Sequence, residues 1–432
     1  MDDDVTRVAR ADIPICSEKY PMSLPSRVGP PTASLIPSVD PDAITAVTRM
    51  RASRRQALRW AAAVGLGASG LAGFAPRVSA AKSLAAELDA VIAAAVEGGI
   101  PGVALRVERA GELLFSGAAG VSSLERQTAM RPADRFRIYS ITKTFTATVV
   151  LQLVDEGVVS LDDTVTAWLD DPAVALIPNI DRVTLRQLLT HTSGVYDFGD
   201  DTDSPFWDDA FLGPDANWSQ VWTIPQLLAY AAGSAHAPYF APGEGVAYSN
   251  TGFLLLGLIV EAATGRPFGD ELRERIIEPL GLRDTTLAEG AGLPTGTVDG
   301  YQLIDGELLD VSAINLSWVW TAGGIVSTTA DLARFARAVF DGELVSSESR
   351  EAMFTFTAET QFRMQFGMGV IRSRTPNGAL IGMDGGSAGG TSTMQRLESA
   401  DVTVVVLINQ APDEGATDHV RDAAIEAVLA TA

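Results

Sequence analysis

The chain has 432 residues, 47% of them hydrophobic and 7% aromatic, with a formal net charge of −22. That length can bury a sizeable core in two or three packed units, and the charge argues against nucleic acid or an anionic membrane as partner. One cysteine, Cys16, and three scattered histidines, His191, His236 and His419, allow no internal disulfide, no thiolate cluster and no H-E-x-x-H spacing, so no metal and no cofactor is expected.

Residues 1–49 are rich in Pro and Ser and lack periodicity, and Met50 stands just before an arginine segment. They read as a disordered leader or a mispredicted start. Over 50–81, SRRQAL precedes the apolar run WAAAVGLGASGLAGFAP and then RVSAAKS. Paired arginines, a weakly hydrophobic run and small residues at a cleavage point make a twin-arginine export signal, cut near Ala80 or Ala81. A membrane anchor fits less well, because a span needs ~20 apolar residues and this run is short and Gly-rich. The mature protein, 82–432, is expected to be secreted or to sit in the cell envelope or periplasm, with no stable membrane span after cleavage.

Residues 102–120 read as two strands joined at Ala110-Gly111. Residues 141–156 read as a buried helix ended by Gly157, and further helical stretches fall at 184–190, 225–232, 252–264 and 330–340. Strand patterns return at 366–373, 379–383, 391–397 and 402–408, with a hairpin turn at Asn377-Gly378, and a last helix covers about 414–430. Two strands alone make no stable sheet. The expected fold is therefore α/β (α+β): one antiparallel sheet from the N- and C-terminal strands, flanked by the first and last helices. The sheet lobe would take about 88–135 and 362–430, and a mostly helical lobe about 136–361.

Two serines compete as nucleophile. Ser387 sits in GMDGGSAGG, a match to G-x-S-x-G. That elbow needs a helix after the serine, but AGGTSTMQR reads as a strand. It also needs an acid and then a histidine downstream, where only His419 is present, and no His-Gly-Gly segment lies upstream. Ser140 is the better candidate. It opens the 141–156 helix, and Lys143 lies three residues on, along the same face. A lysine of lowered pKa can take the serine proton, and the helix N-terminus favours a developing oxyanion. Of 32 Lys and Arg, only Lys19, Lys82 and Lys143 are lysine, so the folded part keeps one lysine, at this position. Arginine cannot replace it as a base. A second group is Tyr248-Ser249-Asn250, at a turn before an apolar helix. Its phenol can shuttle protons and its amide can hold a substrate carbonyl; a bare Y-x-N is more often a turn whose asparagine caps the helix, and it is the combination with S-x-x-K that points to chemistry.

S-x-x-K on a helix, Y-x-N on a turn and a glycine-bearing strand near the end resemble the serine β-lactamase and penicillin-binding protein superfamily, in its class C branch. That branch holds class C β-lactamases, D-alanyl-D-alanine carboxypeptidases, and related esterases and D-aminopeptidases. The resemblance covers about 88–428 and includes RFRIYSITKTFTATVVLQLVDEGVVSLDD, VTLRQLLTHTSGVYDF, PGEGVAYSNTGFLLLGLIVE, IIEPLGLRDT and WTAGGIVSTTADLARF. It implies a β-lactamase/transpeptidase-like fold and an acyl-enzyme on Ser140. Lys143 and Tyr248 become the base pair, Asn250 the holder of the substrate carbonyl, and His191 a structural residue. The family's Lys/His-Thr/Ser-Gly strand motif maps to Met383-Asp384-Gly385. Gly385 would leave room for substrate, and the N–H groups of Gly386 and Ser140 would form the oxyanion hole. The partner implied is a small-molecule or peptidoglycan-like substrate.

Met383 and Asp384 depart from that motif. A carboxylate at 384 would repel an anionic substrate by roughly 4 kcal/mol at ~4 Å and an effective dielectric near 20, unless Arg372 or Arg374 turned into the cleft. Neutral esters, small amides or amines are then expected, ahead of a carboxypeptidase or β-lactamase substrate. A catalytically silent penicillin-binding sensor or wall-binding module is the remaining alternative. The acidic stretch 196–222 reads as a lid or as a solvated loop, and Trp318 as a wall of the cleft or a core aromatic.

Overall fold

The computed structural model describes residues 76–431 except 200, 202–203, 213–215, 235–236, 291, 305, 361–362 and 414. Residues 1–75, with the expected leader or mispredicted start and the expected export signal as far as residue 75, and His236 lie outside the described residues. Residues 80–432 belong to one compact unit; of the other, 25–79, only 76–79 are described. No described helix is long and apolar enough to cross a membrane.

The first described element is α1 (Pro76–Glu97), which contains the expected cleavage point, followed by β1 (Gly102–Arg109) and β2 (Glu112–Ser123). Short β3 (Thr128–Ala129) and β4 (Phe136–Arg137) lead to α2 (Thr142–Asp155). The middle of the chain carries α3 (Ile224–Gly233), α4 (Asn250–Thr264), β5 (Thr286–Leu287), β6 (Tyr301–Ile304), β7 (Glu307–Asp310), β8 (Ile325–Ser327) and α5 (Thr329–Asp341). Then come β9 (Met364–Phe366), β10 (Ile371–Thr375), β11 (Gly378–Ser387), β12 (Gly390–Leu397), β13 (Val402–Ile408), β14 (Gln410–Ala411) and α6 (Ala416–Ala430).

The main sheet has eight strands in the order β3-β2-β1-β13-β12-β11-β10-β9, all antiparallel. The early strands do join the late ones: β1 lies against β13, with Leu105 opposite Val406. β13 shows why. Its residues VTVVVLI are buried on both faces. Val402, Val404 and Val406 pack with Leu88 and Ile92 of α1 and Val420, Ile425 and Val428 of α6. Val405 and Leu407 join the core that contains Phe145 of α2. Period-two alternation thus makes this strand the boundary between two apolar layers. The β1–β2 turn is Ala110-Gly111, at φ 48° and 80°; two such angles suit a hairpin whose twist matches its strands.

The structure shifts two of the expected boundaries. Residues 366–373 are two strands, because Gly369 turns the chain at φ 68°. Its carbonyl accepts from Thr144 Oγ1 at 2.7 Å, and its N–H donates to the Leu189 carbonyl at 3.2 Å. A Cβ there would lie 2.6 Å from the Lys143 carbonyl oxygen, so the break fastens the sheet edge to the helix bearing Lys143. The β10–β11 turn is Pro376-Asn377, one residue earlier than expected, with Gly378 already paired to Thr375. The mostly helical central region also carries two small sheets, β4-β8-β5 and β14-β6-β7, within or beside it.

Candidate active site

Ser140 lies in a single 3-10 turn, Tyr139–Ile141, directly before α2. Tyr139 is held at φ 44°, a costly angle for a non-glycine residue, and its hydroxyl donates to the Ala388 carbonyl in the β11–β12 turn. The nucleophile turn is therefore tied to the C-terminal hairpin. Gly385 of β11 completes that attachment. A Cβ at 385 would sit 2.3 Å from the Ile138 carbonyl oxygen and 2.8 Å from the Ser140 nitrogen. The space that glycine leaves is thus filled by the turn holding Ser140, not by substrate as expected.

The helix spacing brings Lys143 Nζ to 3.2 Å from Ser140 Oγ. Lys143 is fully buried; its Nζ also donates to Asn250 Oδ1 at 2.6 Å and to the Ala322 carbonyl at 2.8 Å. A neutral amine has two N–H bonds and one lone pair. Three oxygens thus surround Nζ, and an amine that gave its N–H bonds to Asn250 and Ala322 would turn its lone pair toward the serine hydroxyl. The Tyr248 hydroxyl lies 2.6 Å from the same Oγ, and Lys143 Nζ sits over the phenol ring, 4.7 Å from its centre. Ser140 alone of these four is more than slightly exposed.

Tyr248-Ser249-Asn250 works by division of tasks. Ser249 is the N-cap of α4, accepting from Gly252 N at 3.2 Å. Asn250 is thereby released from capping, and its side chain faces Lys143. His191 supports the segment from below. Its Nδ1 accepts from Ser249 N at 3.1 Å, its carbonyl accepts from Ala247 N at 2.9 Å, and its ring stacks on Tyr248 at 4.5 Å. Burial, aided by the charge of Lys143, holds the His191 imidazole well below its ordinary range, so it stays neutral.

Asp197, which no sequence signal distinguishes from the other acids of 196–222, belongs to this group. Its Oδ2 accepts from Asn250 Nδ2 at 2.9 Å and from Asn250 N at 3.0 Å, and its Oδ1 accepts from Gly199 N at 3.0 Å. Burial pushes its carboxyl up to about 6, against the pull of these N–H groups and of Lys143. Several other described residues of the stretch are seated against the body, while Asp208 and Asp209 are exposed. Phe206 and Trp207 are buried, Asn315 N donates to the Trp218 carbonyl at 2.8 Å, and Trp222 N donates to Ser317 Oγ at 2.8 Å. Trp318 packs among Phe206 and Trp207 at 5.4 and 5.5 Å. It is a buried core aromatic, not an open wall of the cleft.

Asp384 is the clearest correction. Met383 and Gly385 share the Ser140 side of β11, with Met383 buried in the core that contains Phe145. Asp384 faces the other way, accepting from Gln395 Nε2 at 3.0 Å. Gln395 Oε1 in turn accepts from Arg421 Nη1 of α6 at 3.2 Å. Burial works against the Arg421 charge, and Asp384 with Asp418 and Asp422 outweighs it. Arg372 and Arg374 pair with Glu398 and Glu359 at 3.1 and 3.5 Å, outside the cleft. Asp384→Asn is therefore expected to change kcat/KM for anionic, neutral and cationic substrates by the same factor, read from parallel kinetics on the three. A gain confined to anionic substrates would put the carboxylate back in the cleft.

Ser387 is the last residue of β11, and β12 follows after two residues. A strand stands where a nucleophile elbow needs a helix. Among the described residues no group of three or more His, Cys, Asp and Glu could hold a metal ion.

Comparison with known proteins identifies the family. Penicillin-binding protein 4* of Bacillus subtilis (strain 168) is 26% identical over 320 residues, 70% of this chain and 67% of that one. Esterase EstB of Burkholderia gladioli is 36% identical over 207 residues, 47% of this chain and about half (52%) of its own length. The crystal structure of a D-stereospecific amidohydrolase from Streptomyces sp. superposes with a TM-score of 0.68 at 34% identity, covering 79% of this chain and 97% of that one. The Beta-lactamase family pattern matches residues 88–429, and the chain belongs to that family of serine hydrolases.

Proposed function

We propose that the protein hydrolyses esters or small amides through an acyl-enzyme on Ser140. The observation that carries this is the convergence of Tyr248 OH at 2.6 Å and Lys143 Nζ at 3.2 Å on one hydroxyl oxygen. Lys143, with Tyr248, takes the Ser140 proton as Oγ bonds to the substrate carbonyl carbon and the carbonyl electron pair moves onto its oxygen. The N–H groups of Ser140 and Gly386 receive that oxyanion, and Asn250 orients the substrate. Collapse breaks the bond to the leaving group, which departs with the proton relayed through Tyr248. Water then attacks the acyl carbon by the same route and frees Ser140.

Neutral substrates are favoured. At the strand motif the family's basic side chain is replaced by buried Met383, and neither Asp384, Arg372 nor Arg374 offers a carboxylate receptor. A relative named as an esterase and a neighbour titled as a D-stereospecific amidohydrolase support the same choice. The test is a panel on purified protein: p-nitrophenyl butyrate, D-amino-acid amides, a chromogenic cephalosporin and a D-Ala-D-Ala peptide. The ester or the amides are expected to lead by about tenfold or more in kcat/KM. A lead for the peptide or the cephalosporin sinks this reading in favour of a carboxypeptidase or β-lactamase, and silence on all four favours a wall-binding sensor.

The same proposal places the enzyme outside the cytoplasm, on the strength of Arg54-Arg55 and the apolar run after them. Mass spectrometry of the exported protein is expected to find an N-terminus near Ala81 or Lys82. Retention of residues 1–49 in that form overturns the reading of the start site and of cleavage.

A further inference from the structure

We infer that Asp197 is a positioning residue of the catalytic unit: a buried counter-charge that acts on Lys143 through the side-chain amide of Asn250. The inference rests on the acyl-enzyme reading, in which Lys143 accepts the Ser140 proton.

The geometry sets the direction of the amide. An ionised carboxylate only accepts hydrogen bonds. Asp197 Oδ2 therefore takes the Nδ2 of Asn250 at 2.9 Å, and the same amide must then turn Oδ1 toward Lys143 Nζ, at 2.6 Å. Had the amide the opposite orientation, N–H groups would face Lys143 and the lone pair that receives the serine proton would lose its aim. Asp197 also accepts from the backbone N–H of Asn250 at 3.0 Å, one of the unpaired donors at the start of α4. Both ends of Asn250 are thus fixed by one carboxylate.

Charge follows the same line. When Oγ attacks, the proton leaves Ser140 and settles on Lys143, which becomes an ammonium with no exposure to solvent. A buried cation is costly without a partner. Asp197 provides the opposite charge one amide away and gives up no proton itself. The other titratable groups nearby do not compete. His191 stays neutral, since burial and Lys143 hold it far down. The Tyr239 hydroxyl accepts from Asp197 N at 3.1 Å, and burial, with Asp197, pushes its acidity far beyond reach. Asp201, on the same segment as Asp197, acts on Tyr239. Within the reaction the carboxylate, Asn250, Lys143 and Ser140 then form a four-membered relay, in which the first member never touches substrate.

The sign of the pH dependence follows. The carboxyl is pushed up by burial to about 6, so below that pH it is neutral, the amide is no longer directed and the counter-charge is gone. Activity is expected to fall on the acid side, with a midpoint that belongs to the Asp197–Lys143 pair rather than to either group. The test compares wild type with Asp197→Asn and Asp197→Ser on p-nitrophenyl butyrate from pH 5 to 9, with thermal melting to verify folding. Expected are a fall in kcat of about tenfold or more, little change in KM, and an acid limb of kcat/KM displaced to lower pH by about one unit or lost. A purely structural role would reduce the active fraction at every pH and leave the limb in place, which overturns the inference. So does a folded variant with wild-type rates. If neither variant folds, the wild-type profile decides: an acid limb near pH 6 supports the relay, and a flat profile between pH 5 and 8 overturns it. Ser140→Ala, assayed beside them, separates the two claims. Dead Ser140→Ala with an unaffected Asp197→Asn sinks only the relay, whereas active Ser140→Ala sinks the acyl-enzyme reading as well.

Discussion

Ser140→Ala is expected to lower kcat on p-nitrophenyl butyrate by at least about a thousandfold and to abolish labelling by a fluorophosphonate. The variant keeps the fold, because the Ser140 side chain caps nothing: the 3-10 turn is held by Tyr139, Gly385 and the backbone. What it removes is the one oxygen that both Lys143 and Tyr248 address. Residual turnover then reflects only the oxyanion site and binding. Ser387→Ala, at the end of β11, is expected to retain labelling and at least about half of the wild-type rate. Labelling that vanishes in Ser387→Ala and persists in Ser140→Ala would reverse the assignment.

Lys143→Arg is expected to be nearly as inactive as Lys143→Ala, each by about a hundredfold to ten-thousandfold. Charge alone would predict the opposite, since arginine conserves it. The distinction lies in the lone pair. A guanidinium has donors and no acceptor, and it does not lose a proton in the accessible range. The acceptors around Nζ, Asn250 Oδ1 and the Ala322 carbonyl, are also set at 2.6 and 2.8 Å for a single compact nitrogen. Pre-steady-state acylation of folded variants, verified by thermal melting, measures the effect. Substantial activity in Lys143→Arg would make the residue an electrostatic one and end its role as base.

What could be read in advance followed the range of the interaction. Ser140 and Lys143 are related by one helical turn, so their meeting is local and visible as spacing. That the early strands join the late ones was legible because two strands alone make no stable sheet; that β1 lies against β13 in particular is seen only in the fold. Asp384 was misplaced for a reason internal to strands. A one-residue change of register reverses every side chain, and the motif gives no indication of which side of β11 looks toward Ser140. Asp197 and the Ala322 carbonyl stayed hidden for a different reason. One is an acid among many in an acidic stretch and the other is a backbone atom, and only the tertiary fold brings them to Asn250 and Lys143. Ser249 took the cap that Asn250 could have filled, a choice between neighbours that composition does not decide.

The position of β1 beside β13 has a kinetic consequence. Val103 pairs with Ile408, some three hundred residues later, so the centre of the sheet closes only when nearly the whole chain is available. Closing so long a loop is entropically unfavourable before any contact compensates it, and such topologies fold slowly. Gly385, which seats the nucleophile turn, lies in that late portion. During synthesis the ribosome therefore releases Ser140, Lys143 and Tyr248 well ahead of the strand that orders them. Hydrolytic competence arrives last, as a property of the finished polypeptide rather than of any fragment that precedes it.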